Sequence, residues 1–143
     1  MIRTGIIGLG WGALVHIPAF LSAAGFELVA LCSSSQRHLQ QVGEPVGISD
    51  LSTDWRQFVR RDDLDLISVA TPVRLHYEMV LEALAAEKHV LCEKPAARDA
   101  AEVREMLCAA QGASVAVCFE RRWLPEHLAL KQLLATGRIG RPM

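Results

Sequence analysis

The sequence has no excess of charge of either sign, because 15 lysines and arginines stand against 16 aspartates and glutamates, a net charge of −1. Nucleic acids and anionic membrane surfaces are bound through basic excess, so neither is expected as a partner. The sequence also lacks a run of about 18 apolar residues, and we therefore expect no membrane-spanning helix.

Cysteine is scarce and dispersed, since Cys32, Cys92, Cys108 and Cys118 include no CxxC pair. Neither a disulfide framework nor a zinc site is expected, and the five histidines show no metal-ligand spacing. The first residues, MIRTGIIGLGWG, contain no basic leader, and glycines interrupt their apolar run. We expect no signal peptide, no metal site, and a cytoplasmic protein with reduced thiols.

Apolar residues are abundant by contrast, at 51% of the chain with a mean hydropathy of +0.22. The length of 143 residues suits one domain. Such a composition predicts either that most apolar side chains are buried in the core or that an apolar surface is covered by a partner.

Apolar, strand-like segments alternate along the chain with segments of helical periodicity. Strands are predicted at 2–8, 26–32, 64–70, 89–92 and 114–119, with a loop or weak strand at 43–52. Helices are predicted at 11–24, 35–42, 54–59, 74–87, 100–110 and 125–136. Continuously apolar strands between amphipathic helices are typical of α/β proteins with a doubly wound parallel sheet.

The first predicted strand runs into a glycine-rich turn, Gly8-Leu9-Gly10-Trp11-Gly12-Ala13, which fits GxGxxG/A through Gly8, Gly10 and Ala13. In this pattern the first glycine permits a tight turn, the second admits a pyrophosphate, and the third small residue allows close helix–strand packing. Backbone N–H groups at the helix start then face the phosphates. A plain turn is the alternative, and Trp11 would either contact the cofactor or pack in the core.

The second predicted strand is not followed by the acidic residue that binds the adenosine ribose in NAD-specific sites. No aspartate or glutamate occurs between Leu28 and Gly43, and the strand is followed instead by Ser33, Ser34 and Arg37. Hydroxyls and a guanidinium are able to bind a 2′-phosphate, so this segment slightly favours NADP over NAD. The alternative is a serine helix cap followed by a solvated helix face.

Three further strand ends carry distinctive residues: Ala70-Thr71-Pro72 followed by His76, Glu93-Lys94-Pro95, and Glu120-Arg121-Arg122-Trp123. In an open parallel sheet these ends converge on the edge that holds the glycine turn. With these stretches, above all KHVLCEKPAA, the chain resembles the N-terminal half of the Gfo/Idh/MocA family of nicotinamide-dependent oxidoreductases. The resemblance implies a Rossmann domain that binds NAD or NADP and a sugar, polyol or related hydroxyl compound as substrate.

The resemblance also implies site residues. Lys94 is expected to bind the substrate oxygen and assist proton transfer, and Glu93 to pair with Lys94 or the nicotinamide ribose. Thr71 and Pro72 would form a wall of the nicotinamide site. His76 would contact a ligand or cap the following helix, and Arg122 would face the cofactor or substrate, or else form a surface salt bridge. An ordinary charged turn is the alternative for Glu93 and Lys94.

The family's second α/β domain, which binds substrate, has no counterpart in residues 1–143. Residues 123–143 are predicted to form a helix and tail that lead toward such a domain, so we expect a fragment, an isolated domain or a short relative. Homo-oligomerisation, or association with a partner that replaces the missing domain, is expected. A dinucleotide-binding module without catalysis is the alternative function.

Overall fold

A single sheet of six parallel strands dominates the computed structural model, which describes residues 1–140 and so excludes the last three residues of the predicted tail. The strands are β1 (Ile2–Ile7), β2 (Phe26–Cys32), β3 (Leu51–Ser52), β4 (Leu66–Val69), β5 (His89–Glu93) and β6 (Val115–Cys118). Their order across the sheet is β3-β2-β1-β4-β5-β6. The predicted doubly wound class is confirmed, and the strand order reverses between β1 and β4, where such sheets bind ligands.

Helices connect the strands: α1 (Ile17–Ser22), α2 (Gln36–Gly43), α3 (Trp55–Val59), α4 (His76–Ala85), α5 (Ala100–Ala109) and α6 (Pro125–Ala135). Shorter turns are π-helical at Gly12–His16 and 3₁₀-helical at Glu44–Val46, Val73–Leu75 and Glu120–Trp123. Ser35, Asp54 and Asp99 precede α2, α3 and α5 as predicted N-caps. The side chain of each accepts backbone N–H bonds, a stabilisation of about 1 kcal/mol per cap.

Each face of the sheet carries its own hydrophobic core. The larger core, with Phe58, Ile67 and Met106, lies under α3, α4 and α5. The smaller core, with Phe20 and Leu39, lies under α1 and α2. Burial of each such side chain contributes about 1.5–3 kcal/mol, so the two cores hold rigid the sheet edge on which the site is built.

The helix after the glycine turn differs from its prediction as one continuous helix over 11–24. It begins as the π-helical turn Gly12–His16, in which the Ile17 N–H is donated to the Gly12 carbonyl. Pro18 follows in the first turn of α1 and has no N–H to give to the carbonyl four residues back. The π-helical turn ends at His16, and the side chain of this residue is only 2% exposed.

Two helices near the β6 end of the sheet leave apolar side chains exposed. Leu107 on α5 is 67% exposed, and no residue of α6 is buried, although Leu130, Leu133 and Leu134 form a partial apolar row. Since β6 is the last strand of the sheet within residues 1–140, α6 has no sheet surface to pack against.

The four cysteines all lie within the described residues and are free thiols. Cys32 and Cys92 are buried, Cys118 is half-buried and Cys108 is exposed. None of the helices in residues 1–140 has the length and hydrophobicity that crossing a membrane requires.

Candidate functional site

The turn after β1 is shaped by Gly8, which has a φ of 96°. A Cβ at this position would lie 2.6 Å from the Ala70 carbonyl oxygen, so only glycine fits. The Gly8 N–H donates to the Cys32 carbonyl at 2.9 Å, which ties the turn to the end of β2. Gly8 therefore lies where the ends of three neighbouring strands meet, and it forms the tight turn that the sequence predicts.

The next two glycines of the turn have opposite surroundings. A Cβ on Gly10 would meet no atom within 4 Å, so the backbone there is open to a ligand. A Cβ on Gly12 would lie 3.2 Å from both the Ala70 Cβ and the Ile6 Cγ2. The close helix–strand contact that the sequence assigned to Ala13 is thus made at Gly12, and half-buried Ala13 packs against the smaller core.

A cleft of about 790 Å³ opens from this turn between the ends of β1, β2 and β4. Seven of the predicted cofactor residues line it: Gly8, Gly10, Trp11, Ser33, Ser34, Thr71 and Pro72. Trp11 is 48% exposed at the cleft wall, which excludes the alternative of core packing for its side chain. A nicotinamide dinucleotide is a ligand of the class that a cleft of this volume accommodates.

The polar lining of the cleft has no acidic member among the described residues. Ser33 and Ser34 follow β2, and His38 and Arg74 also line the cleft. Arg37, the cation that the sequence predicted, is exposed on the first turn of α2 and is not among the lining residues. The helix turns the neighbouring His38 toward the cleft instead, because successive residues on a helix point about 100° apart.

The apolar wall of the cleft was missed by sequence reasoning. It is formed in part by Trp55 of α3, Leu75, and Met79 of α4. In the sequence these residues look like ordinary core positions of amphipathic helices. The Arg56 guanidinium lies 4.3 Å from the centre of the Trp55 ring, which holds that ring in place.

His76 neither lines the cleft nor caps α4, so neither predicted role is observed. Its ring is 1% exposed, with Nε2 at 2.7 Å from the Thr71 carbonyl oxygen and Nδ1 at 3.0 Å from the Pro95 carbonyl oxygen. Helix α4 has no side-chain cap from His76. The imidazole instead connects a residue of the cleft wall to the loop that carries Lys94.

Lys94 follows β5 at the same sheet edge, and its peptide bond to Pro95 is cis, a point that the sequence left open. The Lys94 Nζ lies 3.4 Å from a carboxylate oxygen of Glu120, and the two side chains are 43% and 42% exposed. Lys94 therefore pairs with Glu120 rather than with the side chain of Glu93. Its ammonium is open to solvent, and Lys94 is not among the residues that line the cleft.

Glu93 is a buried carboxylate whose two oxygens have different partners. One oxygen lies 3.0 Å from His16 Nε2, and the other accepts the Lys94 backbone N–H at 3.0 Å. Burial raises the pKa of Glu93, but the hydrogen bonds from His16, Cys118 and the Lys94 N–H outweigh burial and lower the pKa overall. Glu93 is thus held as a carboxylate that faces inward rather than toward the cleft.

His16, Glu93 and Cys118 place three potential metal-ligand atoms within 4.8 Å of one another. Sequence spacing did not reveal this cluster, because its members come from three separate segments. Burial, Glu93 and Glu120 raise the pKa of the Cys118 thiol to about 11, so the thiol stays protonated. An ion here would have to displace the bonds of His16 and Cys118 to Glu93.

Arg122 does not reach the cleft, and its guanidinium lies 5.9 Å from the ring centre of Trp123. Both residues belong to the 3₁₀-helical turn Glu120–Trp123, in which no residue is buried. The predicted salt bridge of Arg122 is not found within residues 1–140.

Comparison with known proteins places these features in context. A family model described as "Oxidoreductase family, NAD-binding Rossmann fold" matches residues 2–120. The chain is 36% identical over 145 residues to 1,5-anhydro-D-fructose reductase of Ensifer adhaerens, covering 100% of this chain and 44% of that protein. It is 33% identical over 146 residues to inositol 2-dehydrogenase of Rubrobacter xylanophilus, covering 99% of this chain and 42% of that protein.

Solved structures agree with the sequence matches. Scyllo-inositol dehydrogenase from Lactobacillus casei, solved with bound NAD(H) and scyllo-inositol, has a TM-score of 0.90 and 26% identity over 98% of this chain and 42% of that one. Myo-inositol 2-dehydrogenase from Lactobacillus plantarum has a TM-score of 0.89 and 28% identity over 97% of this chain and 42% of that one. The chain thus spans less than half the length of these relatives.

Proposed function

Because the chain belongs to the Gfo/Idh/MocA oxidoreductase family, whose NAD-binding Rossmann domain matches residues 2–120, we propose that it binds a nicotinamide dinucleotide and supplies Lys94 for hydride transfer. The substrate class is a sugar, polyol or related hydroxyl compound, on which the named relatives act. The observation that carries the proposal is the open backbone above Gly10, which faces a cleft of about 790 Å³.

The glycine turn and the strand ends would hold the cofactor. Gly10 leaves room for the pyrophosphate, and Trp11 borders the same space. Thr71 and Pro72 would contact the nicotinamide half from the end of β4. When bound, the nicotinamide ring supplies the acceptor or donor of the hydride.

Lys94 is the residue we assign to proton transfer and charge stabilisation. Its exposed ammonium, which follows β5 next to the end of β4, would hydrogen-bond the substrate hydroxyl oxygen. In the oxidation direction the hydroxyl proton would pass to water, and this cation would stabilise the alkoxide that remains. The alkoxide would then become a carbonyl as its carbon gives the hydride to the cofactor. Glu120 is positioned to orient the ammonium before the substrate arrives.

NADP is the cofactor form that we propose, because the cleft after β2 offers hydroxyls and an imidazole in place of a carboxylate. Ser33, Ser34 and His38 line this part of the cleft, and Arg74 lies in the same lining. A 2′-phosphate would find donors there, whereas a carboxylate would repel it. Arg37 is next to His38 on α2, and its contact with the phosphate stays a prediction.

Fluorescence titration of residues 1–143 with NADPH and NADH tests both the site and its preference. We expect binding of both and tighter binding of NADPH. Ser33→Asp is expected to weaken NADPH binding about tenfold or more, since a carboxylate at this place repels the 2′-phosphate. Ser49→Asp, which adds the same charge at an exposed position outside the cleft, is expected to change neither affinity.

Two results would contradict these proposals. If the wild-type chain binds neither dinucleotide, the proposed function is wrong. If NADH binds more tightly than NADPH, the cofactor preference is wrong while the site remains.

The exposed apolar residues near the end of the chain support self-association. Phe119 is 58% exposed, Trp123 70% and Leu128 44%. We expect light scattering on purified residues 1–143 to give a mass above the monomer's 15.7 kDa that rises with concentration. Replacing Trp123 and Leu128 by glutamine should shift the mass toward the monomer. Leu14→Gln, on a different exposed surface, should not, and a monomeric wild type would refute self-association.

A further inference from the structure

His16 is a buried polar residue to which the proposed reaction assigns no role. It ends the π-helical turn that follows the glycine turn, and its ring is 2% exposed. Its Nδ1 lies 2.7 Å from the Ser68 hydroxyl on β4, and its Nε2 lies 3.0 Å from the Glu93 carboxylate on β5. The ring therefore joins the helix of the glycine turn to two strands of the sheet.

The direction of these hydrogen bonds follows from the charge on Glu93. An ionised carboxylate only accepts hydrogen bonds, so His16 Nε2 must donate. In the neutral ring Nδ1 then accepts the Ser68 hydroxyl proton, and the order of donation is Ser68 to His16 to Glu93. Ser68 is itself 0% exposed, so neither bond competes with solvent.

The second oxygen of Glu93 extends this chain of contacts to the catalytic loop, because it accepts the Lys94 backbone N–H at 3.0 Å. The Glu93 carboxylate thus accepts a hydrogen bond from His16 on one oxygen and from the Lys94 backbone N–H on the other. With Glu93 held by His16, the carboxylate cannot rotate freely, and the Lys94 N–H has an acceptor in a fixed place. A carboxylate without that restraint would have other rotamers available.

We infer that His16 is a positioning residue, which holds Glu93 so that the Lys94 backbone, and with it the ammonium, is set at a fixed place relative to the glycine turn. The inference rests on the proposed function, since positioning Lys94 matters only if Lys94 acts on a substrate. Because His16 belongs to the helix that begins at the glycine turn, the cofactor site and Lys94 become parts of one rigid unit. Misplacement of a catalytic group by even about 1 Å is sufficient to reduce turnover substantially.

The alternative is that His16 merely fills the space between the helix and the sheet. Apolar Leu9 and Ile17 fill neighbouring space with 3% and 2% exposure, so a hydrocarbon side chain is compatible with this part of the core. An imidazole with both nitrogens in hydrogen bonds also fixes the orientation of its partners Ser68 and Glu93, which a hydrocarbon side chain cannot do. Two amide variants separate these roles: His16→Gln reaches toward Glu93 in place of Nε2, and His16→Asn reaches only toward Ser68 in place of Nδ1.

The first measurement is hydrogen exchange of the Lys94 backbone amide in residues 1–143. We expect His16→Asn to speed this exchange about tenfold and His16→Gln to keep it near the wild-type rate. The amide of Leu31, which lies 3.0 Å from the Asp50 carbonyl at the far side of the sheet, serves as the control and should exchange alike in all three proteins. Equal exchange of the Lys94 amide in both variants would overturn the inference.

The second measurement is kcat and KM for polyol oxidation by the protein that contains this chain. We expect His16→Asn to lower kcat about tenfold and to leave the KM for NADP⁺ unchanged. We expect His16→Gln to have a kcat close to that of the wild type. Equal loss in the two variants would overturn the positioning role, and so would wild-type kcat in His16→Leu, which fills the space without either hydrogen bond. Absence of dinucleotide binding by wild type would instead refute the proposed function, so the two failures are distinguishable.

Discussion

Replacing Lys94 by methionine is expected to lower kcat for polyol oxidation by the protein that contains this chain about 10²- to 10⁴-fold, the contribution of a well-placed acid–base group. Methionine keeps an unbranched stem but has no ammonium to hydrogen-bond the substrate oxygen. The loop should keep its shape, because Glu93 binds the backbone N–H of Lys94 and His76 binds the carbonyl of Pro95. The loss should therefore appear in turnover rather than in folding.

The measurement is steady-state reduction of the cofactor, followed by absorbance, with a panel of polyols and sugars. NADPH affinity of the Lys94→Met chain should stay at the wild-type value, because Lys94 does not line the cleft. Lys131→Met removes an exposed lysine on α6 and should leave kcat unchanged. Wild-type turnover in the Lys94→Met protein would refute the catalytic role of Lys94. Absence of turnover by the wild type with every polyol and sugar tested would instead favour a dinucleotide-binding module without catalysis.

Replacing Gly10 by leucine is expected to weaken NADPH binding to residues 1–143 about a hundredfold, which corresponds to about 2.7 kcal/mol. A Cβ on Gly10 meets no protein atom within 4 Å, and Gly10 lines the cleft, so we expect the new side chain to fit there. It then occupies the space through which a pyrophosphate approaches the backbone. The free energy of unfolding should change by no more than about 0.5 kcal/mol, as for other exposed positions.

The comparison that makes this result specific is Ala19→Leu, which adds the same side chain to an exposed position on α1. This variant should bind NADPH as the wild type does. Affinity is measured by fluorescence titration and stability by urea unfolding of each protein. Wild-type affinity in Gly10→Leu would show that the dinucleotide does not pass over the glycine turn.

Local sequence patterns were sufficient to predict the fold class and part of the geometry of the glycine turn. The alternation of short apolar strands and amphipathic helices was enough to predict a doubly wound parallel sheet, because each element's period reports which faces are buried. The spacing of Gly8 and Gly10 predicted a tight turn and an open backbone, since both properties depend on a few consecutive residues. The close contact with Ala70 was not predicted, because it is made by Gly12, whose position depends on the π-helical turn.

His76 and Arg37 show where a sequence pattern is insufficient. Each was identified by residue type and position in a motif, but the direction of a side chain depends on the elements packed around it. His76 turns inward to the carbonyls of Thr71 and Pro95, and the helical register gives the place in the cleft lining to His38 rather than Arg37. Trp55 and Met79 were missed for the same reason, since apolar helix residues look alike whether they border a core or a cleft.

The amino-acid sequence was sufficient to predict the fold class, the order of strands and helices along the chain, and the strand ends proposed to form the site, because parallel sheets bring all their carboxyl ends to one edge. Only the tertiary structure decided which side chains meet there. His16, Ser68, Glu93 and Cys118 lie on four different segments, and their contacts exist only once the strands are side by side. A hydrogen bond between distant segments requires its donor and acceptor to be placed within a few tenths of an ångström of the right separation, and no local spacing in a sequence encodes that placement.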